Sequence, residues 1–294
     1  ALSVGPQVFI GQHIGDLETD QAFEAFRRVI ADFQALYEAR PSIIAADAHP
    51  GYLSTQFAHD LAARGSRRKE AQTSDPQLLT IQHHIAHVFS CMAENELEPP
   101  VLGVSWDGTG YGLDGTVWGG EFFLVTETAC ERAAHLRQFR LPGGDQAVKE
   151  PRRTALGLLH EMSGEAVFGM TGLAPVQASA PAELAPLRTM LARQLNSPLT
   201  SSAGRLFDAV AALVGLRQQV RFEGQAAMEL EFALEGAVPT DEAYELPLRS
   251  EAAPRTTRNA PLILDWAPMI EAILADVKRG ASAGQISARF HNAL

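Results

Sequence analysis

The sequence predicts an α/β protein, on three observations. Short apolar runs alternate with amphipathic stretches in the first half. Two strand-like segments then flank a run rich in Gly and Asp, and the second half is a series of Ala/Leu-dominated segments of helical length.

Residues 21–39, QAFEAFRRVIADFQALYEA, place Phe23, Phe26, Ile30, Phe33 and Leu36 on one helical face, and Pro41 follows where a helix stop is expected. SIIAAD (42–47) reads as a short buried strand running into the turn-like HPGY, and a second helix is expected over 52–64. LLTIQ (78–82) reads as a strand that leads into a helix over 83–95. VLGVSWD (101–107) and VWGGEFFLVT (117–126) read as a hairpin, with DGTGYGLDGT as its glycine-rich turn region. LPGGD, within 136–147, reads as a loop. Helices are then expected over 150–163, 181–195, 205–215, 223–235, 266–279 and 282–294, with the Ala/Pro-rich 173–186 as a surface connection. The change of character suggests two lobes, a mixed one over 1–145 and a mainly helical one over 146–294.

The chain has 294 residues and a formal net charge of −11. That balance argues against broad nucleic-acid binding, which needs a basic footprint. A local basic pocket for phosphate remains open, with Lys149, Arg152, Arg153 and Arg205 as its candidates. No run reaches the roughly 18 apolar residues of a membrane span. The first residues lack the basic flank and apolar stretch of a signal peptide, so a cytoplasmic location is expected. The two cysteines, Cys91 and Cys130, form no CxxC pair. Cys91 stands four residues after His87 and can be read as a further metal ligand, though a buried core cysteine is the favoured reading.

His83, His84 and His87 fall within five positions of the expected helix over 83–95. On a helix His83 and His87 share one face, while His84 is turned by about 100°. Two imidazoles at that spacing can share a transition metal. The zinc-peptidase pattern has Glu after the first His; here that position is His84, so peptidase chemistry is unsupported. Taken alone, HxxxH also fits ordinary helix-face histidines. Asp107 lies at the expected end of a strand and is followed by Gly108-Thr109-Gly110. This is where α/β folds place ligand-binding groups, and glycines let backbone N–H groups approach phosphate. A plain Asp-Gly turn is the competing reading.

Seven motifs occur in one order: QHIGDLET, DAHPGYLSTQFA, QHHIAHVFSCMAEN, GVSWDGTGYGLDGTVWGGEF, LPGGDQAVKEPRRTA, TSSAGRLFDAVAALVG and FEGQAAMELE. Together, from Gln12 to Asn292, they resemble the carbamoyltransferase (Kae1-like) domain of the HypF family of nickel–iron hydrogenase maturation proteins. The resemblance implies an actin-like ATPase fold with two lobes around a nucleotide cleft. It implies that carbamoyl phosphate and ATP (with Mg) yield a carbamoyl-adenylate. The carbamoyl group then passes to the C-terminal cysteine of the partner protein HypE, as a precursor of cyanide ligands.

Carried over by motif, His83 and His87 match metal-binding histidines and Asp107 a carboxylate ligand, for iron or zinc. Gly108, Thr109 and Gly110 match a phosphate-side loop, and Asp208 and Glu229 match positions that hold ribose or adenine. Lys149, Arg152 and Arg205 complete the expected nucleotide set, Arg153 reads as solvated, and no catalytic side chain is singled out. Glu223 reads as a first-turn carboxylate favoured by the helix dipole, and TSS (200–202) as N-capping material.

The family's upstream acylphosphatase-like, zinc-finger and YrdC-like segments have no counterpart here, nor does its downstream glycine loop with a later Asp ligand. The sequence therefore reads as a transferase domain incomplete at both ends. Transfer to a small-molecule hydroxyl, and a non-catalytic nucleotide-binding or partner-docking fragment, remain as alternatives. An exposed apolar seam, with a homodimer formed through it, is a further expectation.

Overall fold

A computed structural model describes residues 1–67, 76–250 and 260–294. The chain divides into two compact units, Ala1–His83 and His84–Leu294.

The first unit opens with a small antiparallel ribbon, β1 (Leu2–Val4) and β2 (Gln7–Phe9). Helix α1 (Asp20–Leu36) starts where the Thr19 hydroxyl accepts the Ala22 N–H at 3.2 Å, satisfying one of the open N-terminal donors. Its apolar face carries Phe23 and Phe26, whose rings meet Phe57. Strand β3 (Ile43–Asp47), helix α2 (Leu53–Arg67) and strand β4 (Gln77–Ile81) form a βαβ unit. Its strands pair in parallel from Ile43↔Gln77 to Asp47↔Ile81. That register sets the carboxyl end of β3 beside the approach to helix α3 (His83–Glu94), which carries the chain into the second unit.

The second unit is built on an antiparallel meander of β5 (Val101–Tyr111), β6 (Val117–Val125) and β7 (Cys130–Leu136). β8 (Phe139–Arg140) follows, then α4 (Asp145–Lys149), α5 (Pro151–Ser163), α6 (Ala174–Gln177) and α7 (Pro181–Arg193). β9 (Leu199–Thr200) pairs with β8 and touches β6 at Val117↔Thr200. After α8 (Ala203–Leu213) and α9 (Gln225–Phe232), β10 (Leu248–Ser250) pairs with β11 (Leu262–Leu264), which lies parallel to β7. Helices α10 (Ala267–Arg279) and α11 (Ala283–Ala293) close the unit. Leu156, Leu158, Leu206, Val210, Trp266 and Phe290 are wholly buried at its centre. Helix α5 seats directly on β8, where a Cβ at Gly157 would fall 1.9 Å from the Arg140 carbonyl oxygen.

Several expectations need correction. The DGTG segment is not the hairpin turn: β5 continues through it to Tyr111. The turn itself is Leu113–Gly115, where Asp114 Oδ1 accepts from Thr116 N, Thr116 Oγ1 and Trp118 Nε1 at 2.7–3.0 Å. Residues 173–186 hold α6 and the start of α7, and Pro175 and Val176 are buried. The expected lobe boundary near 145 does not coincide with the division of the chain. Leu136 and Phe139 on one side of it share a core with Leu156 and Leu206 on the other, so sheet and helices there form one unit. Cys91 is exposed rather than buried. Its helix buries the face of His84, Val88 and Met92 instead.

Candidate functional site

Helix α3 begins at His83, so the helical turn itself sets His83 and His87 one above the other. His83, His87 and Asp107 each offer one ligand atom, and the three atoms lie within 4.8 Å of one another. His83 Nδ1 is 2.8 Å from Asp47 Oδ2. His84 is wholly buried, with Nε2 3.6 Å from Asp107 Oδ2. The middle histidine therefore packs behind the carboxylate and is not a third member of the ligand face. Two imidazole nitrogens and one carboxylate oxygen suit Fe(II) or Zn(II), and three protein ligands leave positions for an exogenous group.

Asp107 stands in a wide irregularity of β5. Trp106 pairs with Gly120 and Gly110 with Trp118, so Asp107, Gly108 and Thr109 face the single residue Gly119. The extra residues bend the strand and turn Asp107 out of the ladder. Its Oδ1 accepts the Gly108 N–H at 2.7 Å. Ser202 Oγ lies 2.8 Å from both the Asp107 and Gly108 carbonyl oxygens, donating to them, and accepts the Arg205 N–H at 3.1 Å. One hydroxyl thus caps α8 and ties its N-terminus to the bulge. Two glycines permit the approach: a Cβ at Gly119 would sit 2.5 Å from the Asp107 carbonyl oxygen, and one at Gly204 2.8 Å from Gly108 Cα. Behind them Glu121, wholly buried, accepts from Ser201 Oγ and Arg132 Nε, both at 2.5 Å.

Beside the bulge a cavity of about 210 Å³ is lined by Asp107, Gly108, Gly204, Arg205, Asp208, Glu223, Gly224 and Ala227. Arg205 is 2% exposed; its Nε lies 3.1 Å from Asp208 Oδ2 and its Nη2 3.5 Å from Glu223 Oε1. Its Nη1 has no hydrogen-bond partner among the described residues. Burial pushes the Asp208 carboxyl up to about 6; Arg205 opposes the rise and Glu223 adds to it. A cation with a spare donor, open backbone N–H groups at the start of α8 and a neighbouring metal-type cluster form an arrangement able to take a phosphate. A larger void, about 600 Å³, lies within the first unit; Phe26, Val29, Phe33, Ile44 and Phe57 make it mainly apolar, and it gathers no comparable donor set.

His83, His87 and Asp107 are thus brought together, and Gly108, Arg205 and Asp208 join them at the cavity. Thr109 does not line the cavity, and Gly110 makes room for His84, whose Cε1 would be 2.2 Å from a Cβ there. Arg152 is buried, and its donors are taken by Glu150 at 2.6 Å, Glu183 at 2.9 Å and the Ala178 carbonyl. Lys149 is exposed at the end of α4 and lines none of this cavity. Glu229 accepts from Arg217 Nε at 2.8 Å, also away from it. Asp47, Ser202 and Glu223 are the residues whose part sequence reasoning missed or understated. The DAHP turn and the TSS cap were their visible signals.

The chain is similar to known proteins over nearly its whole length. Residues 103–294 match the family model described as "Carbamoyltransferase, Kae1-like Domain, second subdomain", and residues 1–94 match "HypF Kae1-like domain". Carbamoyltransferase HypF of Synechocystis sp. is 37% identical over 307 residues, covering 100% of this chain and 37% of the relative. Carbamoyltransferase HypF2 of Cupriavidus necator is 38% identical, again over 100% of this chain and 37% of the relative. A HypF homolog of the same organism is 35% identical over 99% of this chain and 70% of its own length. Among solved structures, full-length HypF in a phosphate- and nucleotide-bound form gives a TM-score of 0.81 at 38% identity, over 97% of this chain and 34% of that one. T. kodakarensis HypF gives 0.79 at 31% identity, over 96% of this chain and 35% of that one. The chain spans about 37% of the length of the first two relatives.

Proposed function

The chain belongs to the HypF family of carbamoyltransferases, and from that premise we propose that it forms the carbamoyl-transferring domain of a hydrogenase maturation enzyme. The observation that carries the reading is the meeting of the His83–His87–Asp107 cluster and the Arg205 cavity at one braced bulge. The two-imidazole, one-carboxylate donor set fits a divalent iron or zinc ion, which His83, His87 and Asp107 would hold. When bound, such an ion offsets phosphate charge and orients the leaving group.

The remaining steps belong to the chain. Arg205 Nη1 and the N–H groups at the start of α8 bind phosphate oxygens of ATP or of the adenylate. Asp208 and Glu223 hold the Arg205 guanidinium in place from two sides. Gly108, which has no side chain, lets the substrate come up against the β5 backbone. In the reaction proposed, water cleaves carbamoyl phosphate to carbamate and phosphate, a carbamate oxygen attacks the α-phosphorus of ATP, pyrophosphate departs and carbamoyl-adenylate forms. The C-terminal cysteine thiolate of a HypE-type partner attacks its carbonyl carbon, a C–S bond forms, the bond to phosphate oxygen breaks and AMP departs.

The test supplies this chain with preformed carbamoyl-adenylate and a HypE-type protein, and reads the mass of the partner's C-terminal peptide. One added carbamoyl group on the cysteine, lost in Arg205→Ala, is expected. A partner left unmodified by a chain that still binds the nucleotide would instead favour a nucleotide-binding or docking role.

A further inference from the structure

We propose that Asp47 is a positioning residue that fixes His83 in the tautomer and ring orientation needed for metal binding through Nε2; this rests on the metal-site reading above. The fold delivers Asp47 to this place. It ends β3, and its parallel pairing with Ile81 sets it beside the chain two residues before His83. Its backbone is pinned: Thr55 Oγ1, on α2, donates to the Asp47 carbonyl at 3.0 Å, and the Ala48 N–H donates to the Ile81 carbonyl at 2.9 Å. The two carboxylate oxygens are divided between two tasks. Oδ1 accepts the His49 N–H at 2.7 Å, closing a local turn, while Oδ2 lies 2.8 Å from His83 Nδ1.

A local turn needs only Oδ1. The second oxygen reaches a residue 36 positions along the chain, which turn formation does not explain. A carboxylate accepts and cannot donate, so the proton must sit on His83 Nδ1 and the lone pair on Nε2. Such a carboxylate also raises the basicity of the ligand nitrogen and stops the ring from turning.

Asp47→Asn separates the two tasks. The Asn oxygen can still close the turn with His49 N–H, but its NH2 group faces His83 Nδ1 and donates to it, which drives the ring proton to Nε2. The melting temperature should therefore hold while zinc affinity, measured by calorimetry, falls roughly 10–100-fold. Nitrogen-15 long-range correlation spectra should show His83 protonated at Nδ1 in the unmodified chain and at Nε2 in the variant. In a His83→Ala background the same substitution should change zinc affinity little, because the two act through one interaction. A variant that binds zinc as tightly as the unmodified chain overturns the proposal. So does an undiminished loss in the His83→Ala background, or an Nε2-protonated His83 in the unmodified chain. An unmodified chain that binds no zinc, or binds it equally well as His83→Ala/His87→Ala, overturns the metal-site reading and the proposal with it.

Discussion

Ser202 shows how much one hydroxyl can do in this structure. It accepts the Arg205 N–H as a helix cap and donates to the carbonyls of Asp107 and Gly108, so the start of α8 and the β5 bulge share a single brace. Ser202→Ala removes both links. We expect a stability loss of about 1–2 kcal/mol, read from denaturant unfolding, together with weaker nucleotide binding; Ser202→Thr should keep most of both. At this scale the sequence was informative where chemistry is local. The i,i+4 spacing set His83 and His87 on one helix face, and the Thr-Ser-Ser run announced a cap. It was silent on Asp47, because that contact closes over 36 residues through the pairing of β3 with β4. Arg152 was misread because Glu150 and Glu183, which satisfy it, cannot be told from solvated acids until the helices pack.

Among the elements, the helices were the most legible, since their apolar period is carried by adjacent turns: α1, α3, α5 and α10 fall within a few residues of expectation. The short strands β8 to β11 were not, because two or three residues leave no alternation to read. The bulge was also hidden: it exists only in the register between β5 and β6. The junction of α4 and α5 carries a pH-dependent contribution. Burial raises the Glu150 carboxyl, but hydrogen bonds from Arg153, Gln146 and Arg152 outweigh this and hold it at about 2. A folded-state value below the ordinary 4.5 means stability fully present above about pH 4.5 and lost as pH falls towards 2. Glu150→Gln should cost on the order of 2–3 kcal/mol at pH 7. The gap from the unmodified chain should narrow steadily in melts run from pH 5 down to pH 2, and a gap that does not change with pH would count against this role.

At the scale of the whole molecule, burial is uneven. The second unit holds the wholly buried centre around Trp266 and Phe290, whereas α1 of the first unit has no fully buried residue. The lobe boundary was misplaced in the sequence because composition changes where strands give way to helices, and here those strands and helices share a core. Among the described residues β5 pairs only with β6, and Leu102, Val104, Trp106 and Leu124 are 40–63% exposed along these strands. An open edge beside an apolar stripe favours association. We predict that the light-scattering mass rises with concentration and that Val104→Lys abolishes the rise; a monomer at every concentration contradicts this. No described helix is long and apolar enough to cross a membrane.

In the proposed site His83, His87 and Asp107 hold a metal ion that acts together with the adjacent Arg205 cavity. The measurement is calorimetry of ATP binding, with and without Fe(II), on the unmodified chain and on His83→Ala/His87→Ala. The metal should tighten ATP binding in the unmodified chain and have no effect in the double variant. Equal tightening in both, or none in either, would contradict this.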